Sequence, residues 1–177
     1  ADNAHLQDWL AKGQHGQMDY MARHGDMRAI PSLLQPGTVS VISVRMDYLT
    51  DSNMIAVLKD DNKAYISRYA LGRDYHKVLR ARLQRLATRI RDEIGDFGYR
   101  VFTDSAPVLE VALAEKAGMG WRGKHTLVLQ RDAGSMFFLG EIFVDLALPV
   151  TPATTAHCGQ CQACMVQCPT QAIVAPY

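Results

Sequence analysis

The most regular pattern in the chain lies in "RDYHKVLRARLQRLATRIRDEIG", residues 73 to 95, where Leu79, Leu83, Leu86, Ala87, Ile90 and Ile94 recur at three- and four-residue spacing. That spacing lines one face of a helix and Gly95 closes it, so the pattern predicts an amphipathic helix. Residues 3 to 24 carry a weaker helical pattern through Leu6, Trp9 and Leu10, with Met18, Tyr20 and Met21 close together further on. "PSLLQPGT" holds the breakers Pro31, Pro36 and Gly37 and predicts a turn. "SVISVRMDY", residues 40 to 48, is rich in β-branched residues and predicts a buried strand. "KAYISRYALG" predicts a short strand running into a loop, "YRVFTD" a strand, "APVLEVALAEKAG" a helix ended by Gly118, "HTLVLQ" a strand and "MFFLGEIFVDLAL" a long apolar strand. Helices and strands interleave, which predicts an α+β body over residues 1–149. The proline-bearing "LPVTPATTAHC" links it to a small separate module over residues 150–177.

Composition supports this division. A chain of 177 residues holds one packed domain and a small appendage. With 48% hydrophobic residues, 21% charged residues and a formal net charge of +1, it reads as an ordinary globular protein whose charge balance names no partner. No apolar run approaches the roughly 18 residues that span a bilayer, and "ADNAHLQDWL" lacks a signal-peptide pattern. A cytoplasmic location is therefore expected. The first residue is Ala1 and the chain opens inside a predicted helix, so the polypeptide is expected to continue at both ends.

All four cysteines lie in "HCGQCQACMVQCPT", residues 157 to 170, spaced C-x2-C-x2-C-x3-C-P on Cys158, Cys161, Cys164, Cys168 and Pro169. This is the bacterial ferredoxin run for a four-iron cluster. Two-residue gaps let neighbouring thiolates reach adjacent corners of one cube, with amides of the wrapping loop turned toward the sulfurs. Structural zinc is the plainer alternative, but zinc sites usually pair two separated knuckles or mix cysteine with histidine. Two disulfides are the third, disfavoured in a chain with no other cysteine. In two-cluster ferredoxins the fourth cysteine serves the other cluster. Either all four thiolates hold one cluster, or Cys158, Cys161 and Cys164 take a fourth ligand from beyond "AIVAPY".

G-x4-G-K-[ST] does not occur, so no familiar nucleoside triphosphate site accompanies the cysteines. The blocks "GQMDYMARHGDMRAIPSLLQPGTVSVISVRMDY", "YISRYALGRDYHKVLRARL", "FTDSAPVLEVALAEKAGMGWRGKHTLVL" and "GSMFFLGEIFVDLALP", in that order, resemble epoxyqueuosine reductases, with the cysteine segment in the place of that family's first ferredoxin run. The resemblance covers nearly all of the chain. It implies a nitroreductase-like cobalamin-binding domain, then part of a ferredoxin-type module. In the family this module carries two four-iron clusters and is followed by a helical-repeat tail. The implied reaction is a two-electron reduction of epoxyqueuosine to queuosine in a tRNA anticodon loop, with cobalamin recharged by the clusters. On this resemblance Cys158, Cys161 and Cys164 hold the cluster nearest the cobalamin and Cys168 reaches toward the second. The implied partners are tRNA containing epoxyqueuosine and a low-potential electron donor, with no membrane, and the protein is expected as a monomer.

The oxygen leaving an epoxide needs a proton, and the family's donor lies in the block that reads "FTDSAP" here, which implies Asp104. A carboxylic acid serves at neutral pH where burial favours its neutral form, and Asp104 follows the apolar strand end Val101-Phe102. Read without the family, Asp104 or Ser105 caps a helix starting near Ala106. Cobalamin contacts carried over fall on Arg28, Ser67, Asp104, Val128 and Leu139, with Lys124 as a further polar contact. Val128 and Leu139 read alone are core residues, and Arg28 is a solvated surface residue. "DYHKVL" has the outline of a cobalt-ligating histidine motif without its glycine, so His76 reads as structural or surface. Arg73, Lys77, Arg80, Arg82, Arg85, Arg89 and Arg91 face only Asp74, a row that is usually a solvated helix face and here a candidate tRNA contact. Val111 stands where the family commonly has arginine, which weakens the transfer of RNA contacts. Two alternatives remain: an electron-transfer module without corrinoid, and a relative of reductive dehalogenases. The latter usually carry a twin-arginine signal and a tyrosine acid, for which the sequence offers no counterpart.

Overall fold

The computed structural model describes residues 2–176; Ala1 and Tyr177, the last residue of "AIVAPY", lie outside it. Helix α1 (Asp2–Ala11) buries Leu6 and ends at a run of turns, where Gly13 adopts φ +66°. That left-handed backbone is open to glycine and ends the predicted 3–24 helix early. Single-turn helices follow at Asp19–Met21 and Gly25–Arg28, then short α2 (Pro31–Leu34) occupies the predicted turn. Strand β1 (Ser40–Asp47) matches its predicted position but is half-buried, since it lies at a sheet edge. The predicted strand in "KAYISRYALG" is absent: the segment is irregular apart from one turn at Arg68–Ala70, and short α3 (Met54–Leu58), capped by Asn53, precedes it. Tyr65, Ile66 and Tyr69 are exposed there, so no sheet edge receives them.

Helix α4 (Tyr75–Ile94) is the predicted amphipathic helix. Asp74 caps it, its carboxylate accepting from the His76 amide at 3.0 Å. Leu79, Leu83 and Ala87 are buried, while Leu86 and Ile94 of the predicted stripe remain exposed. Next come β2 (Tyr99–Phe102), α5 (Glu110–Lys116), β3 (Trp121–Arg122), β4 (Val128–Leu129), β5 (Phe137–Val144) and α6 (Ala163–Gln167). The main sheet is antiparallel with order β1-β5-β2, and β3 and β4 form a separate two-stranded ribbon.

Strand β5 organises the core because it is central and covered on both faces. Ile142 and Val144 pack with Leu79, Leu83 and Ala87 of α4, whereas Phe143 packs with Phe102 and Val108 on the other face. Period-two alternation therefore turns even positions of β5 to α4 and odd positions to the α5 side. Gly140 lets α4 come close: a Cβ there would stand 3.0 Å from Leu83 Cδ1. On the other face Phe137, Ala114 and Val128 form a third cluster joining β5, α5 and the ribbon. Fully burying a leucine such as Leu83 contributes about 1.5–3 kcal/mol, so the α4 seam is a large part of what holds the sheet.

The cysteine segment rests on the ribbon side of this body. Thr154 donates to the Gly118 carbonyl (2.7 Å), and the Lys124 ammonium donates to the carbonyls of Gly159 and Cys161, each at 2.8 Å.

Candidate active site

The site grows from the loop between β2 and α5. Thr103 is buried and its hydroxyl donates to the Leu139 carbonyl at 3.2 Å, fixing the end of β2 against β5. Asp104 then adopts φ +45°, a left-handed conformation that aspartate tolerates better than most residues and that at a cleft marks a constrained position. Its amide donates to the Glu110 carboxylate across the loop at 2.5 Å. Pro107 lacks an amide hydrogen and disfavours helix in the residue before it. Accordingly, α5 starts at Glu110 and not near Ala106, and neither Asp104 nor Ser105 caps it; Leu109 stands at the cap position with no capping side chain.

With its amide tied back, Asp104 turns its carboxylate toward the start of α4. Oδ2 accepts from the Tyr75 hydroxyl and lies 3.0 Å from His76 Nε2, while His76 Nδ1 lies 3.0 Å from the Asp74 carboxylate. Tyr75 is held flat against Phe138, ring centres 4.1 Å apart, and stacks on His76 at 4.0 Å. Burial pushes the Tyr75 hydroxyl to higher pKa, and the Asp104 carboxylate that accepts its hydrogen adds to the shift. Asp104 itself is less enclosed than its place after Val101-Phe102 implies, with 52% of its side chain exposed. Burial falls instead on the carboxyls behind it. Glu141, at an odd position of β5, is 0% exposed, and no donor among the described residues reaches either oxygen. Burial first, then the neighbouring Glu110 charge, pushes Glu141 up; burial likewise pushes Glu110 up, with the Asp104 charge adding to it.

Two clefts meet at this point. One of about 530 Å³ is lined by Leu6, Trp9, Tyr20, Arg28, Asp104 and Val111 among others, and one of about 230 Å³ by Tyr48, Tyr69, Tyr75, Asp104, Phe138 and Leu139 among others. Asp104 and Glu110 line both. The larger cleft lies within the range of cofactor pockets, about 300–1,000 Å³. Of the sequence-predicted contacts, Arg28, Asp104 and Leu139 come to these clefts. Arg28 is oriented by the Tyr20 and Met21 carbonyls, at 2.8 and 3.1 Å. Val128 is buried with Phe137, next to Leu139 and Val111. Ser67 is exposed at the start of the turn that carries Tyr69. Lys124 serves the cysteine loop rather than the clefts.

The four cysteines are free thiols, with no disulfide, and among the described residues no three His, Cys, Asp or Glu side chains converge as a metal-holding group. Their surroundings nevertheless suit thiolates. Trp121 Nε1 donates to Cys158 Sγ at 3.4 Å, and the Ala172 amide donates to Cys168 Sγ at 3.3 Å. The Ile173 amide, then the Thr170 hydroxyl and the Ala172 amide, lower the Cys168 thiol to about 7. Donors aimed at sulfur are what an iron–sulfur cluster requires of its loop.

Sequence reasoning missed Tyr75, Glu110 and Glu141, and read His76 as incidental. The signal for His76 and Tyr75 was their place at the capped start of α4. Tyr75 also places a tyrosine hydroxyl against the Asp104 carboxylate. Glu141 carried its own signal, as the single charge within an otherwise apolar strand.

Fold and site together define a mixed α/β protein with a carboxylate-bearing cleft beside a four-cysteine loop. A family model described as "Epoxyqueuosine reductase QueG, DUF1730" matches residues 28–105. The epoxyqueuosine reductase of Pseudomonas aeruginosa is 64% identical over 176 residues, which cover 98% of this chain and 49% of that protein. The structure of epoxyqueuosine reductase from Streptococcus thermophilus superposes with TM-score 0.83 at 26% identity over 98% of this chain and 47% of that one. A crystal structure of epoxyqueuosine reductase with a tRNA-Tyr epoxyqueuosine-modified stem loop superposes with TM-score 0.77 at 26% identity, covering 87% and 41%. The chain belongs to the epoxyqueuosine reductase family, and it spans about half the length of the curated relatives it matches.

Proposed function

We propose that this chain carries the reductive site of a tRNA epoxyqueuosine reductase, with Asp104 as the proton donor. The observation that carries the reading is the presentation of the Asp104 carboxylate at the junction of the two clefts by Tyr75, His76 and Glu110. In the overall change, both C–O bonds of the epoxide break, a carbon–carbon double bond forms, and the oxygen leaves as water on taking up two electrons and two protons. Bound in these clefts, cobalamin would supply the two electrons from a reduced cobalt centre.

The residues present fit such a group. Trp9, Tyr20, Val111 and Leu139 offer an apolar bed for a flat macrocycle, while Arg28 and Asp104 offer polar contacts for its amide-bearing rim. Val128 would support that bed from beneath, and Ser67 would contact the rim from the turn beside Tyr69. Asp104 would deliver a proton to the departing oxygen, and Tyr75 and His76, both hydrogen-bonded to it, would orient the carboxyl for that transfer and renew its proton. Cys158, Cys161 and Cys164 would hold a four-iron cluster next to the body and Cys168 would serve a second. Within this reading residues 1–149 form a nitroreductase-like cobalamin domain and 150–177 part of a ferredoxin-type module. The partners are epoxyqueuosine tRNA and a low-potential donor, acting on a cytoplasmic monomer. Among the described residues no helix is long and apolar enough to cross a membrane.

The test is a cobalamin titration followed by absorption, paired with turnover of Asp104→Asn on epoxyqueuosine tRNA. Stoichiometric binding with a base-off spectrum is expected for both proteins. A rate about 10²–10⁴-fold lower is expected for the variant, the usual contribution of a general acid. Absence of a base-off spectrum removes the cobalamin reading, and near-normal turnover of the variant removes Asp104 from the acid's role.

A further inference from the structure

Asp104 is held from behind by groups that the proton transfer itself does not use. Its backbone is left-handed at φ +45°, and one bond spans the loop it begins, from its amide to Glu110 Oε1 at 2.5 Å. Glu110 opens α5, so its backbone is fixed by the helix and its side chain reaches back over residues 105–109. Behind it stands Glu141, in the middle of β5 between Ser43 of β1 and Phe102 of β2. A fully buried carboxylate with no donor is costly unless it takes a proton or finds a partner. Two carboxyls can hydrogen-bond to each other only when one of them is protonated. The Glu110 carboxyl is the group within reach of Glu141.

We propose that Glu110 is a positioning residue that latches Asp104 into its left-handed conformation, and that one proton shared between Glu110 and the buried Glu141 keeps the latch closed. The proposed chain of bonds runs from the Glu141 O–H to the Glu110 carboxylate, whose Oε1 accepts the Asp104 amide. Loss of charge on Glu110 weakens the bond to the amide, because a hydrogen bond to an ionised acceptor is roughly twice as strong as a neutral one. The other groups facing the pair are Asp104, His76 and Tyr75, and Arg28 lines the same cleft while bound to the Tyr20 and Met21 carbonyls. Burial raises both glutamates, so Glu110 changes charge near neutral pH, the range in which the latch responds.

The hold of Glu110 on the Asp104 loop stands on the geometry of that bond; its catalytic consequence rests on the reading of Asp104 as the acid. The test measures hydrogen exchange of the Asp104 amide in the intact, cofactor-loaded protein, corrected for intrinsic rates, between about pH 5.5 and about pH 9. In the parent protein protection is expected to rise with pH as Glu110 ionises. Glu110→Ala, favourable in a helix, is expected to lose about ten- to a hundredfold of that protection, the range for a charge-assisted hydrogen bond. Glu110→Gln keeps an acceptor of the same shape and is expected to show intermediate protection with no pH response. In turnover on epoxyqueuosine tRNA, both variants are expected to lower kcat with little change in KM, since Glu110 acts through the conformation of Asp104. Unchanged exchange at Asp104 in either variant overturns the latch. Deprotection in Glu110→Ala combined with normal turnover of Asp104→Asn upholds the latch and removes the acid assignment, so the two readings fail separately.

Discussion

A glutamate at position 141 is the least comfortable residue in the molecule, and its discomfort is measurable. It occupies the central strand at 0% exposure, and burial followed by the Glu110 charge raises it from 4.5 to about 9, with Glu110 raised to about 7. Because the two interact, these are values for the pair. The folded state binds these protons more tightly than the unfolded one, so their contribution to stability is complete below about pH 4.5 and is lost as pH rises through about 7 and then about 9. The thermal unfolding midpoint is therefore expected to fall by several degrees between about pH 6 and about pH 9.5. Glu141→Gln, which carries no charge, is expected to flatten that fall; an equally steep decline in the variant refutes the assignment. The same residue shows why the site was only partly legible. The cysteine spacing could be read from local sequence, and Asp104 from the block that resembles the family. The carboxyl pair joins positions 110 and 141 through the pairing of β5 with its neighbours, and no local pattern encodes that.

At the scale of elements, α4 and β5 carry the architecture. The α4 periodicity was legible because one face packs on a sheet, and Leu79, Leu83 and Ala87 are that face. Leu86 and Ile94 shared the pattern without the burial, since spacing reports a direction and not the extent of what lies opposite. Where elements are short, the reading failed for identifiable reasons. Pro107 delayed α5 to Glu110, Gly13 ended α1 at its first left-handed residue, and "KAYISRYALG" has strand-like side chains with no sheet edge to join. Gly140 is the element-level point of control, because a Cβ there would crowd Leu83 and Leu79 where α4 sits on β5. Gly140→Val is expected to destabilise by about 1–3 kcal/mol through overpacking against Leu79 and Leu83, read as a lower denaturant midpoint with unchanged slope. A variant as stable as the parent means that the seam is looser than its 3.0 Å approach indicates.

For the whole molecule, Trp121 and Lys124 of the β3–β4 hairpin tie the cysteine loop to the body. If three cysteines serve one cluster and the fourth another, serine substitutions should separate into two classes. Cys158→Ser is expected to abolish the cluster signal nearest the body and to unfix the loop from Trp121. Cys168→Ser is expected to leave that signal while removing the other, as followed by iron content and low-temperature paramagnetic resonance on the intact protein. Identical loss in both variants assigns all four thiolates to one cluster. The ribbon that carries Trp121 also carries Arg122 and Val128, which face the larger cleft and its floor, and Lys124, which grips the loop. Its two strands thus form a fixed span between the sulfurs and the cleft, set when the chain folds and not re-formed by collision. If the proposed cluster and cobalamin occupy these two places, current between them should accordingly be indifferent to viscosity and ionic strength, while delivery from an outside donor should respond to both.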